Sequence, residues 1–394
     1  MEAMMISYEE SAGIKGINAS CILQVMNQPQ AAQPGDSIGS DNDSETSGNY
    51  NAKDLASGAT EIPSVSSAQR NQQRSQRTNY HSRQTVSPSL NYLTRAGDNY
   101  DSICSTRDLV YIFNNISSSS TLPTDTKFNI PKQVHQTSKS RCVTPLIAQL
   151  IKTWKLGEDW SYYFHDDDAM ARLFALDWSH VFPHLKQVLN CISNRGTLLA
   201  DVWRYLILYE YGGIYVDIDS VPTKFNSTTI QPNDQGFFVV EQYHLLSQYF
   251  MAMTPKHPLM YYAIHASMLH ILESPDTGMI QAPAVTGPHA LHKGFVHYRL
   301  DVGVHVPLFG PGKKCVWKGV FAGTDNTTIR VEGKGENENE YVRREAITRG
   351  HKRKEYEMLN MTHFSDNLKP SGHSCLAVLY HAKEDSRRRL LEVM

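Results

Sequence analysis

The sequence predicts an α/β domain built on a Rossmann-like sheet. Three observations carry that prediction. Strand-like and helix-like segments alternate from about residue 128 onward, the pattern of a sheet covered by helices. The segment Val202–Tyr209 is apolar on nearly every side, so its helix must be buried all round rather than laid on a surface. Residues from about 28 to 101 are mostly Ser, Asn, Gln, Gly, Asp and Thr. They bury too little apolar surface to offset chain entropy, and are expected to form a disordered N-terminal region. The expected organisation is a largely disordered stretch 1–127 followed by a single domain at 128–391, about 260 residues, a normal size for one domain.

The elements follow in order. Asp108–Phe113 is either an early strand or a segment packed on the core from outside. Ile130–Val134 is strand-like. Pro145–Trp154 has helical periodicity through Leu146, Ile147, Leu150, Ile151 and Trp154. Tyr162–Phe164 reads as a second strand, and Ala169–Phe174 and Phe182–Leu189 as helices. Next comes the buried helix, closed by Gly212-Gly213, which supply the left-handed residue that ends a helix. Ile214-Tyr215-Val216 is β-branched and aromatic, hence a strand. Gly236–Val240 is another strand. Pro258 opens a helix through Leu272, being acceptable in a first turn. The charged segment 332–357 reads as a solvated insertion, and Cys375–Tyr380 as a last strand that brings His381 to a strand end.

Chemistry concentrates at the end of the Ile214–Val216 strand. In an extended backbone, residues two apart point the same way, so Asp217 and Asp219 are expected to project together and hold one hard divalent cation, which in turn can hold a diphosphate. The bare Asp-x-Asp pattern is weak. It also occurs at Asp41–Asp43, in polar filler, and at Asp166–Asp168, where it reads as a loop, a helix cap or a second acidic wall. Only the third copy follows helix, double glycine and strand. Asp201 and Arg204, three apart, share a face of a helix that should be buried. A charge there must be paired or functional.

The run Ala200-Asp201-x-x-Arg204-Tyr205 through Tyr211-Gly-Gly-Ile-Tyr-Val-Asp217-Ile-Asp219 resembles the DXD region of glycosyltransferase family 32, which includes initiation-specific alpha-1,6-mannosyltransferases. Ile130-Pro-Lys-Gln-Val-His135-Gln136-Thr137 resembles the opening strand of that family, and Thr286-Gly287-Pro288 its downstream TGP turn. The resemblance spans roughly residues 128–300. Ala200 stands where a serine is usual, and His381 lacks the Ser-Trp that usually follows.

The resemblance implies a GT-A-type domain with a mixed central sheet flanked by helices. It implies a retaining, metal-dependent transfer of a hexose from a nucleotide sugar, with Mn²⁺ or Mg²⁺ as cofactor. Mannose from GDP-mannose to an N-glycan is the leading form. UDP-galactose or UDP-N-acetylglucosamine, or an inositol sphingolipid acceptor, are the alternatives, and a glycan, lipid or protein acceptor is implied as partner. Asp201, Arg204, Asp217 and Asp219 would be the catalytic group. Val134, His135, Gln136, Asp201, Arg204, Tyr215 and Asp217 would bind the donor, and Asp217, Asp219 and His381 the metal. His135 reads equally as a structural hydrogen-bonder. The resemblance also implies a Golgi-lumenal enzyme with an N-terminal membrane anchor.

Composition narrows the field. The 394 residues are 40% hydrophobic with a formal net charge of −2, which gives no support for nucleic-acid binding. The six cysteines contain no CxxC pair, so no zinc ribbon or thioredoxin-type site is indicated. Cys142, Cys191, Cys315 and Cys375 are candidates for disulfides or for buried thiols. No run of about 18 apolar residues occurs, and the acidic N-terminus lacks the layout of a secretory signal. A non-catalytic sugar-binding protein on a degenerate transferase fold is the alternative of another class. A phosphohydrolase ranks last, since no second acidic or histidine cluster offers a further metal site.

Overall fold

The structure, a computed structural model, describes residues 87–95, 104–117, 128–240, 245–301, 319–322, 328–332 and 341–345, together with 354, 357, 358, 374 and 375. All of them belong to one compact unit. In chain order the elements begin with α1 (Leu90–Leu93), β1 (Val110–Tyr111), β2 (Gln133–Thr137), β3 (Cys142–Val143), α2 (Pro145–Lys152), β4 (Ser161–His165), α3 (Asp167–Phe174) and α4 (Leu185–Cys191). There follow α5 (Gly196–Tyr211), β5 (Gly213–Val216), β6 (Ser220–Pro222), β7 (Asp234–Val240) and β8 (Leu246–Met253). The last are α6 (Pro258–Glu273), α7 (Ala282–Val285), α8 (Pro288–Asp301), β9 (Gly319–Ala322), β10 (Thr328–Glu332) and β11 (Val342–Arg344).

Seven strands form a mixed sheet in the order β4-β2-β5-β8-β7-β10-β9. The strands β4, β2 and β5 are parallel, β8 runs against both β5 and β7, and β10 is parallel to β7. This is the mixed central sheet flanked by helices that the family resemblance implies. The chain leaves β2 for β4 on one side and returns to β5 on the other. Beyond the carboxyl ends of β2 and β5 such a reversal opens the crevice where open α/β sheets bind ligands. Tyr215 of β5 packs into one hydrophobic cluster with α3 to α6, and Ile214 and Val216 pack into the other beside α2, so the sheet has a core on each face.

Helix α5 is buried over its whole central stretch, Asp201 to Glu210, as the all-round apolar pattern requires. It ends at Gly212, with φ +66° and ψ −157°, and Gly213 follows at φ +90°. The expected left-handed cap is therefore replaced by a conformation open to glycine alone. Space demands glycine as well: a Cβ on Gly212 would lie 2.8 Å from the Met253 carbonyl, and one on Gly213 2.6 Å from the Gln133 carbonyl. The strand is thus threaded tightly between β2 and β8.

Several local expectations shift. The first strand begins at Gln133, not Ile130, because Pro131 turns the chain and its carbonyl accepts from Gln133 N. Helix α4 begins at Leu185, not Phe182, because His184 has φ +72°. Strand β8 and helix α8 lie where no element was read.

Residues ahead of position 128 are also built onto this body. Leu90 and Leu93 of α1 enter the core, and Tyr211 Oη donates to the Pro88 carbonyl at 2.8 Å. Strand β1 pairs antiparallel with β3, and a Cys104–Cys142 disulfide ties the same two segments. A second disulfide joins Cys191 to Cys375, so two cysteines expected as candidates are bridged to each other and Cys142 to a different partner. The expected strand Cys375–Tyr380 falls, beyond Cys375, outside the described residues, as do Cys315 and His381.

Candidate active site at the end of β5

The carboxylates of Asp217 and Asp219 do converge, but not through an extended strand. Strand β5 stops at Val216, and Ser220 N donates to the Asp217 carbonyl at 3.0 Å, closing a turn over Asp217–Ser220. The turn, rather than strand alternation, brings both side chains to one place. That place is marked by a single guanidinium: Arg344 Nη2 lies 3.4 Å from Asp219 Oδ2 and 3.9 Å from Asp217 Oδ2. One cation therefore reaches both carboxylates.

Behind them runs a chain of alternating charge. Arg204 Nη2 lies 3.2 Å from Asp201 Oδ1, and its Nη1 lies 3.6 Å from Asp217 Oδ1. The same guanidinium donates to the Gln248 carbonyl and stacks 4.8 Å over the Tyr215 ring. Tyr215 Oη donates to Asp217 Oδ1 at 2.6 Å. Asp201 is sealed in, accepting from Thr286 Oγ1 at 2.7 Å and Gln248 Nε2 at 3.1 Å. Burial pushes its carboxyl up to about 6, against the pull of Arg204 and these donors. Burial works against the charge on Arg204 too, but Tyr215, Asp217 and Asp201 outweigh it and hold its pKa above the arginine value. The helical pair is thus both an internal ion pair and a link to the aspartate of the turn. The Thr286-Gly287-Pro288 turn, between α7 and α8, sits on the inner side of this assembly: Tyr205 Oη lies within 3.0 Å of the Thr286 and Gly287 carbonyls.

The opening-strand residues lie deeper. Val134 packs in the core. Gln136 is buried, accepts from Tyr162 Oη at 2.9 Å, and donates at 3.4 Å to the Asp217 carbonyl. His135 Nε2 lies 3.1 Å from the Gly212 carbonyl, which can only accept, so Nε2 carries the proton. Its Nδ1 then accepts from His165 Nε2 at 3.1 Å. Burial lowers the His135 pKa to about 3, partly opposed by the Gly212 bond, so the ring is a neutral brace for the glycine turn. The acidic run Asp166–Asp168 resolves as a helix cap: Asp166 Oδ1 accepts from Ala169 N, and Oδ2 pairs with the buried Arg141 at 3.0 Å.

Two participants were missed from the sequence. Gln248 sits on β8, unread as a strand. Arg344 lies in the segment taken for a solvated insertion, yet β11 pairs with β6 directly after the aspartates, with Arg344 opposite Ser220 and Glu345 N donating to the Asp219 carbonyl. The basic pair Arg343-Arg344 was the available signal, but nothing local ties it to residues more than a hundred positions away.

Residues 145–236 match the model of the family described as glycosyltransferase sugar-binding region containing DXD motif. That stretch, less than a quarter of the chain, is what resembles this family. It contains Asp201, Arg204, Tyr215, Asp217 and Asp219, whereas Gln248, Thr286 and Arg344 lie beyond it. Two curated relatives come from Schizosaccharomyces pombe (strain 972 / ATCC 24843). Inositol phosphoceramide mannosyltransferase 3 is 34% identical over 91 residues, 23% of this chain and 24% of the relative. Inositol phosphoceramide mannosyltransferase 1 is 25% identical over 146 residues, 34% of this chain and 42% of the relative. The matches thus span less than half the length of either relative. Among solved structures, the PaToxG glycosyltransferase aligns with a TM-score of 0.35 at 16% identity, covering 50% of this chain and 74% of that one.

The donor set fits a hard cation. Two carboxylates meet around one positive group, and oxygen ligands suit Mg²⁺ or Mn²⁺. Among the described residues no third His, Cys, Asp or Glu joins them. A cation held here by two side chains would complete its shell with water and phosphate oxygens, the usual habit of Mg²⁺ in nucleotide sites.

Proposed function

We propose that this protein is a metal-dependent glycosyltransferase that moves a hexose, most simply mannose from GDP-mannose, onto a glycan or glycolipid acceptor. One observation carries the reading: Asp217 and Asp219 converge on a single positive group at the end of β5, inside the family segment. A divalent cation bound there would offset the charge that builds on the departing diphosphate. Asp219, facing Arg344, would contact it directly. Asp217, already engaged by Tyr215 and Arg204, would reach it through water or hold the donor ribose. Arg204, paired with the sealed Asp201, would keep Asp217 in place from behind. Val134, His135 and Gln136 would set the position of the turns rather than touch the nucleotide.

The names of the two relatives favour mannose as the sugar, and an inositol-phosphate sphingolipid over an N-glycan as acceptor. Two disulfides favour an oxidising compartment such as the Golgi lumen. No helix among the described residues is long and apolar enough to cross a membrane.

A thermal-shift panel of GDP- and UDP-sugars with and without Mn²⁺ tests the donor, since a ligand of the native state raises the melting point by mass action. GDP-mannose should stabilise the protein only with Mn²⁺ present. Asp219→Ala should abolish that shift and the Mn²⁺-dependent hydrolysis of donor while the unliganded protein still melts near the wild-type temperature. Full activity in Asp219→Ala would refute the metal assignment. A stabilising UDP-sugar would replace the mannose reading, and incubation with N-glycan and inositol phosphoceramide acceptors would separate those two.

A further inference from the structure

Two arginines face the aspartates of this turn, and they are held very differently. Arg204 is locked: its side chain is 9% exposed and its guanidinium is divided among Asp201, Asp217 and the Gln248 carbonyl. Arg344 is not. Its side chain is 57% exposed, and its contacts with Asp219 and Asp217 are long, at 3.4 and 3.9 Å. Its guanidinium also lies 5.5 Å over the Tyr249 ring. Its backbone is fixed by the register of β11 on β6 and by the bond from Glu345 N to the Asp219 carbonyl. The stem is therefore anchored beside the aspartates, while the charged head is held only by these long contacts and the Tyr249 ring.

The charge balance decides what that head does. Two carboxylates brought within reach of one group repel each other unless a cation lies between them. Arg344 supplies it here. A divalent cation entering the same space would meet the guanidinium as a like charge at close range, so the two cannot share the position. The displaced head would remain within one side-chain length of whatever the cation carries. A diphosphate suits it: a planar guanidinium binds phosphate oxygens in a two-pronged way that no other side chain matches.

Building on the transferase reading above, we propose that Arg344 is an exchangeable counter-ion: it neutralises Asp217 and Asp219 in the metal-free protein, and passes to the nucleoside diphosphate when the divalent cation takes its place. The arrangement makes metal and nucleotide binding mutually reinforcing. Metal alone must displace a favourable ion pair, whereas metal and diphosphate together give the arginine a new partner.

Isothermal titration of the full chain tests this without any turnover measurement. MnCl₂ alone, and then GDP (with UDP in parallel) at saturating Mn²⁺, would be titrated into the wild-type protein and into Arg344→Ala, Arg344→Lys and Arg343→Ala. Arg344→Ala should bind Mn²⁺ alone about fivefold more tightly, having lost a competing charge. It should bind the nucleotide roughly tenfold more weakly, having lost a charge-assisted bond. Arg344→Lys should fall between, and Arg343→Ala, whose side chain pairs with Glu345, should match the wild type in both. Melting curves guard against a folding defect. Opposite signs for the two ligands are the signature, because a merely structural arginine would weaken both. Unchanged or weaker Mn²⁺ binding in Arg344→Ala, with the wild type binding normally, would overturn the exchange and leave the transferase reading standing. A wild-type protein that binds neither Mn²⁺ nor nucleotide would overturn both.

Discussion

Thr286 donates its hydroxyl hydrogen to Asp201 Oδ2 at 2.7 Å, across 85 residues of chain. The bond couples the turn between α7 and α8 to the carboxylate that orients Arg204, and through Arg204 to Asp217. The turn therefore acts on the site from behind, by setting the charge and position of Asp201.

Thr286→Val keeps the shape of the side chain and removes this donor. Taking one partner from a buried carboxylate should cost about 1–3 kcal/mol. Urea unfolding will measure that cost, and it should largely vanish in an Asp201→Ala background if the effect passes through this contact. An equal loss in both backgrounds would show that Thr286 acts by packing instead.

The pH dependence of Asp201 has a definite sign. Its carboxyl is raised from 3.8 to about 6, so the folded protein binds this proton more tightly than the unfolded chain. The stabilisation from this group is complete below pH 3.8 and is lost as pH rises to about 6. Denaturation of wild type and Asp201→Asn between pH 4 and 7 should show wild-type stability falling relative to the variant over that interval. Donor binding should move the other way, rising through pH 6 as Asp201 ionises and pairs with Arg204. Parallel stability curves would place the titration elsewhere.

Arg204 is surrounded by Asp201, Asp217 and two backbone carbonyls. Arg204→Ala leaves two carboxylates without their buried partner and should cost about 3–5 kcal/mol. Arg204→Lys retains the charge but cannot span both aspartates. It should regain much of the melting temperature and little of the turnover, and a lysine variant with wild-type turnover would make the bridging geometry irrelevant.

Gly196, the first residue of α5, and Gly213, the first of β5, should respond oppositely to alanine. Gly213→Ala forces a side chain into φ +90° and against the Gln133 carbonyl, so a loss of about 3 kcal/mol or more is expected. Gly196 has nothing within 4 Å of a new Cβ, and Gly196→Ala should be neutral or stabilising by up to about 1 kcal/mol. Thermal melts of the pair check the threading of β5 between its neighbours.

Much of this architecture is written locally. The apolar run of α5, the double glycine after it and the β-branched strand beyond are properties of adjacent residues, and the sequence by itself determined them, along with the mixed α/β class and the prominence of Asp201, Arg204, Asp217 and Asp219. Tertiary structure alone decided how those residues are joined. It closed a turn that brings Asp217 and Asp219 together, and laid β11 beside β6 so that Arg344 meets an aspartate 125 positions earlier. It seated Thr286 on Asp201, turned His135 inward as a brace, and paired Cys104 with Cys142 and Cys191 with Cys375. The physical reason is the same in each case. Periodicity and turn chemistry act over a few residues, whereas an ion pair or a disulfide between distant segments depends on strand order and register, which no short window of sequence contains.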